Sequence, residues 1–76
     1  MKLDTAYKVT KGNTDGNINV DDIVYVDKGD GSIVVPRWDK RFNKEELTDS
    51  VTDFECELDS AWEIIRTQNN VLVKRE

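Results

Sequence analysis

The stretch IVYVDKGDGSIVV (Ile23–Val35) decides the fold class of this chain. Ile23-Val24-Tyr25-Val26 and Ser32-Ile33-Val34-Val35 are β-branched and aromatic runs, residue types that suit a pleated, half-buried surface. A short Asp/Gly segment joins them. Glycine takes the positive φ that tight turns require, so the two runs predict a β-hairpin. Pro36 cannot donate to a ladder and ends or edges the second strand.

Working outward, KGNTDGNINVDD (Lys11–Asp22) is rich in Gly, Asn and Asp and reads as a loop. Before it, Tyr7 and Val9 alternate with lysines and predict a first strand over residues 3–10. On the other side, residues 37–43 are mixed, with Trp38 and Phe42 expected as core anchors. In Asn43-Lys44-Glu45-Glu46-Leu47, Asn43 caps one helical turn and Glu46 reaches back to the cap. Asp53-Phe54-Glu55-Cys56-Glu57-Leu58-Asp59 alternates acid and apolar with period two, the pattern of a half-buried strand with Phe54, Cys56 and Leu58 inward. Residues 60–67 carry two signals. Ser60-Ala61-Trp62-Glu63 fits a capping box and a short helix, whereas Ile64-Ile65 and the turn-like Gln68-Asn69-Asn70 favour a strand, followed by a last strand at Val71-Leu72-Val73. The prediction is a single, mainly β domain over residues 1–76. It is a small SH3-like barrel or a rolled antiparallel sheet of five or six short strands, with at most one helical turn near 43–49.

Seventy-six residues leave room for one core. Cys56 is the only cysteine, so no internal disulfide is possible, and a lone thiol suits a reducing compartment. The start, Met-Lys-Leu-Asp-Thr, has no apolar signal segment, and a cytoplasmic location, away from membranes, is expected. Catalysis is not expected. With no histidine in the chain, the commonest general base and metal ligand is missing. Cys56 stands among acids on an inward face, where burial and negative neighbours raise a thiol's pKa, opposite to an activated nucleophile. Neither a phosphate loop nor a zinc spacing is present, and no cofactor is expected.

The loop KGNTDGNINVDD resembles the calcium loop of EF-hands and dockerins. With Gly16 on that loop's invariant glycine, Asn13 and Asp15 take the third and fifth positions, Ile18 the eighth, Asn19 the ninth and Asp22 the twelfth. It departs at the first position, where Lys11 replaces the ligating Asp with a positive charge, and strands rather than helices flank it. An Asp-Gly turn is the preferred reading, and no metal ligand is assigned.

Charge is the most informative feature. The whole chain carries −5, yet residues 45–63 hold eight acids and no Lys or Arg, which leaves +3 elsewhere. Alternate residues of a strand share a face at ~6.6–6.8 Å spacing. Asp53, Glu55, Glu57 and Asp59 are therefore expected on one face, joined by Glu45, Glu46 and Asp49 from the preceding turn, as a partner-binding patch. Alternatively, a neighbouring strand supplies Arg66, Lys74 or Arg75 across the ladder and the face is merely solvated. A negative surface repels phosphate backbones, so direct nucleic-acid binding is disfavoured and a basic protein surface is favoured. Of the aromatic residues, most are expected in the core, with one tryptophan left outside as a contact residue.

With VTKGNTDGNINVDDIVYV, DGSIVV, Trp38, KEEL and DFECE in view, the chain resembles small uncharacterised proteins encoded by phages and prophages of low-GC Gram-positive bacteria. It departs from them at Asp21 and Arg37, where such sequences often have Gly. The resemblance carries over no site residues and implies the cytoplasm of a bacterial host and an accessory role on a mobile element. Three functional readings follow. The first is a non-enzymatic protein-binding module using its acidic face, in one version as an inhibitor seated in the phosphate groove of a nucleic-acid enzyme. The second is a structural or assembly protein that self-associates through exposed strand edges. The third is a calcium-loop protein.

Overall fold

In a computed structural model, which describes the backbone of residues 1–65 and 71–74 and the side chains of 1–64, the hairpin is built as the sequence predicts. Strand β2 (Ile23–Val26) pairs antiparallel with β3 (Ile33–Val35), Tyr25 opposite Val34 and Val26 opposite Ile33. Asp27 organises the turn between them. Its carboxylate accepts from Gly29 N–H at 2.7 Å, its carbonyl accepts from Gly31 N–H, and its own N–H reaches Ser32 O at 2.8 Å. Gly31 has φ +75°, a conformation that costs an L side chain about 1–2 kcal/mol.

Strand β1 (Tyr7–Lys11) flanks β2, and β4 (Lys40–Phe42) flanks β3. After Phe42 the chain crosses by a 3-10 turn at Lys44–Glu46 and a single α-helical turn, α1 (Asp49–Thr52). It then enters β5 (Glu55–Leu58), which pairs with the far side of β1. The sheet order is β4-β3-β2-β1-β5, all antiparallel. Among the described residues no ladder joins β4 to β5, so the sheet is rolled without closing into a barrel. A separate hairpin pairs β6 (Trp62–Ile65) with β7 (Val71–Lys74), which settles 62–65 as strand. The turn predicted at 68–70 lies outside the described residues.

The 3-10 turn has the expected capping box: Asn43 Oδ1 accepts from Glu46 N–H at 3.1 Å, and Glu46 Oε1 accepts from Asn43 N–H at 3.2 Å. Two further single turns accompany it, α1 and a 3-10 turn at Pro36–Trp38. Proline suits the latter because its fixed φ is helix-compatible and its missing N–H lies at an otherwise unbonded position. That turn connects β3 to β4 and carries Trp38 out of the core. Trp38 is 52% exposed, contrary to the expectation of a core anchor, whereas Phe42 packs on the core from β4.

The core is aliphatic: Val9, Ile18, Val24, Ile33, Val35 and Val51, with Tyr7, Val26, Phe42, Leu47 and Phe54 packed around it. Tyr25 and Val34, on the other face of β2 and β3, are buried as well. Leu58, expected inward, is 63% exposed. It stands opposite Tyr7 near the end of the outermost strand of the sheet, where little covers it.

The loop between β1 and β2 is tied by its own polar groups. Asn13, only 7% exposed, is the hub. Its Oδ1 accepts from the N–H groups of Asn17 and Ile18, both at 3.2 Å. Its Nδ2 donates to Asn17 Oδ1 at 2.6 Å and to Val51 O at 3.2 Å, fixing the loop to α1. The carboxylate of Asp22, 3% exposed, accepts from Asn19 N–H at 3.0 Å and from the Trp38 indole N–H at 3.1 Å. Two side chains aligned with calcium ligands thus point inward and are spent on the protein's own donors. Gly12 permits the close approach this needs, since a Cβ there would lie 2.9 Å from Ile18 O.

Candidate functional site

Pairing of β5 with β1 determines what the acidic strand presents. Val9 lies opposite Cys56 and Lys8 opposite Glu57. The register shifts between Val9 and Lys11, and Lys11 then lies opposite Glu55. Cross-strand partners share a face. Buried Val9 therefore draws half-buried Cys56 to the core side, and Glu55 and Glu57 face outward. The basic residues across the ladder are Lys8 and Lys11 of β1. Arg66 and Arg75 lie outside the described residues, and Lys74 belongs to β7, opposite Trp62.

Neutralisation by β1 is incomplete. Lys11 Nζ lies 3.8 Å from Glu55 Oε2, an exposed pair of the kind worth ~0–1 kcal/mol. Lys8 turns instead to Asp21 at 3.5 Å. Glu57 consequently has no ion-pair partner among the described residues.

The other five predicted contact residues occupy three different environments. Asp53 precedes the strand, and its two carboxylate oxygens accept from the Thr14 hydroxyl and, at 2.9 Å, from the Thr14 N–H. These bonds hold its carboxyl below the usual carboxylate range. Asp59 ends the strand. Its N–H extends the ladder to Ala6 O and its carboxylate accepts from Ala61 N–H, each at 3.1 Å. Glu45, Glu46 and Asp49 belong to the crossing from β4 to β5, with Glu46 engaged in its capping box. Glu55 and Glu57 thus form the outward-facing pair on the strand, and Asp53 is a structural anchor of the β1–β2 loop.

Leu58 and Asp59 also border a cavity of about 350 Å³ whose other walls include Ala6, Trp62, Glu63 and Ile64. Burial pushes the Cys56 thiol above its ordinary value, away from nucleophilic readiness at neutral pH. No group of three or more metal-ligating side chains is found among the described residues, and none of their helices is long and apolar enough to cross a membrane.

The opposite edge of the sheet was not anticipated as a feature. β4 carries Lys40 and Arg41 and is flanked by Arg37 and Lys44, with Asp39 the one acid among residues 37–44. Arg41 is engaged by Asp27 at 3.0 Å and Asp30 at 3.4 Å. Arg37, Lys40 and Lys44 have no ion pair among the described residues, and the Arg37 guanidinium lies 5.0 Å from the centre of the Trp38 ring. Four cations in RWDKRFNK were the available sequence signal. The topology adds that they flank the terminal strand at the other end of the sheet order from β5. No family model matches the chain, and neither a curated protein nor a solved structure matches it.

Proposed function

We propose that this protein is a non-enzymatic binding module whose acidic outer strand, β5, meets a basic protein surface through Glu55 and Glu57. The observation that carries the reading is Glu57, which faces outward from a strand with one unladdered edge and has no ion-pair partner among the described residues. Carboxylates held in this way repel one another and gain when a partner's cations neutralise them. Exposed Leu58 beside them supplies apolar area at the same strand, and an unladdered edge offers main-chain groups to an incoming segment. Asp59, Glu45, Glu46 and Asp49 add long-range negative potential.

The accessory role implied by the resemblance fits a module of this kind, including one that occupies the phosphate groove of a nucleic-acid enzyme. The absence of histidine from the sequence and the raised Cys56 pKa support a non-catalytic role. The test is charge reversal of Glu55 and Glu57 to Lys in tagged protein used to capture partners at low salt. Capture is lost while the far-ultraviolet circular dichroism stays that of the wild type. Capture by the reversed protein at wild-type level contradicts the proposal.

A further inference from the structure

We infer that the basic surface met by β5 is the opposite sheet edge of a second copy, so that β5 of one chain docks on β4 of the next. This rests on reading β5 as a binding edge and names its partner.

The topology places the two ends of the sheet in chemical opposition. β4 and β5 are its terminal strands, and each has an outer side without a ladder among the described residues. Residues 53–59 hold four acids and no base, whereas residues 37–44 hold four bases and one acid. On each side the charges nearest the edge are incompletely paired: Glu57 on β5, and Arg37, Lys40 and Lys44 around β4. β5 displays exposed Leu58 (63%), and the turn that leads from β3 into β4 displays exposed Trp38 (52%). Trp38 is ordered before any contact, because its indole N–H is fixed by the buried carboxylate of Asp22 and Arg37 lies against its ring. A side chain already ordered loses little freedom on binding. Unladdered edges are templates for pairing with another chain.

Sign complementarity between its two edges points to a second copy as the occupant of the basic edge. Both copies carry −5, and the head-to-tail approach sets the acidic edge of one against the basic edge of the other, so that local attraction opposes the overall repulsion. The contact is heterologous, head to tail, so it produces rings or open chains rather than a closed two-fold dimer. Because it rests on exposed charge, it weakens as salt shortens the screening length from ~10 Å at 0.1 M towards ~3 Å at 1 M.

Sedimentation velocity on the full chain tests this with two variants, Arg37→Glu/Lys40→Glu and Glu55→Lys/Glu57→Lys. The wild type sediments with increasing average mass as concentration rises from about 10 μM to about 1 mM at low salt, and at 0.5 M salt association weakens at least ~10-fold. Each variant alone is monomeric, since its two edges then carry like charge. Their equimolar mixture associates, since every edge again meets its opposite, and this also shows both variants to be folded. A wild type that stays monomeric throughout, or a mixture that fails to associate, overturns the inference. A monomeric chain whose β5 still captures a foreign basic protein overturns only this inference. Loss of both overturns the reading of β5 as a binding edge.

Discussion

Replacing Asn13 with Ala removes four hydrogen bonds from one buried side chain. The two to Asn17 lie in a partly exposed part of the loop, where water substitutes for the lost partner. The other two do not. Ile18 is fully buried and Val51 nearly so, and the substitution leaves the Ile18 N–H and the Val51 carbonyl without the amide that joined them. A buried polar group left unpaired costs ~1–3 kcal/mol. Asn13→Ala is therefore expected to destabilise by about 2–4 kcal/mol, against a total of roughly 4–11 kcal/mol for a domain of this size. Urea titration followed by tryptophan fluorescence reads the loss as a lower midpoint, and thermal melting reads a loss of 3 kcal/mol as a fall of roughly 12–24 °C. Asn13→Asp keeps the oxygen that caps Ile18 but sets a second oxygen against Asn17 Oδ1 and Val51 O, so it gives no recovery over Ala. The calcium-loop alternative expects the opposite, because Asp at that position replaces a neutral ligand oxygen with a charged one. A loss below ~0.5 kcal/mol for Asn13→Ala, or recovery of Asn13→Asp by millimolar calcium, refutes the internal-hub argument.

Two further predictions concern side chains bridging distant segments. Asp22→Ala in a Trp62→Phe background removes a carboxylate that holds the Trp38 indole, so acrylamide quenching of Trp38 rises and stability falls by ~1.5–3 kcal/mol; unchanged quenching contradicts the geometry. Asp53 titrates below its unfolded value because the Thr14 hydroxyl and N–H favour its charged form, so its stabilisation is complete above about pH 4 and is lost as pH falls through the lower folded value. Asp53→Asn therefore narrows the fall in urea midpoint between pH 6 and pH 2.5, and an identical fall in both proteins contradicts the assignment.

Much of the fold was legible because local chemistry and tertiary placement agree. Ile23–Val26 and the Asp/Gly turn after it are unambiguous, and period two over 53–59 locates β5. The Asn43 and Glu46 pair locates the turn at 44–46, and Ile64-Ile65 correctly outweighs the capping-box signal at Ser60. β4 was hidden because Lys40-Arg41-Phe42 has a single apolar residue. It is a strand through its ladder to β3, with Phe42 opposite Ile33 and Lys40 opposite Val35. The acidic site was half legible. Alternation sets Glu55 and Glu57 outward, but the identity of the neighbouring strand depends on sheet order, which no local pattern encodes. Lys8 and Lys11 were therefore not anticipated as the opposing bases. Asp53 fits the alternation yet is drawn aside by Thr14, 39 residues earlier. Trp38 was misplaced for a related reason: hydrophobicity argues for burial, while the turn it occupies and the N–H acceptor offered by Asp22 fix it at the surface.

Zero-length carbodiimide coupling, followed by mass spectrometric identification of joined peptides, tests the binding role of β5 most directly. The reagent joins a carboxylate only to an amine in contact with it, and the pairing of Glu55 with Lys11 within the chain provides an internal reference. With tagged protein in cell lysate at low salt, the account predicts that Glu57 couples to lysines of another polypeptide, either a basic protein or Lys40 and Lys44 of a second copy. It predicts that 0.5 M salt abolishes this coupling and that exposed Asp15, on the β1–β2 loop, does not couple. Glu57 remaining uncoupled while Glu55 joins Lys11, or Asp15 coupling as readily as Glu57, contradicts it.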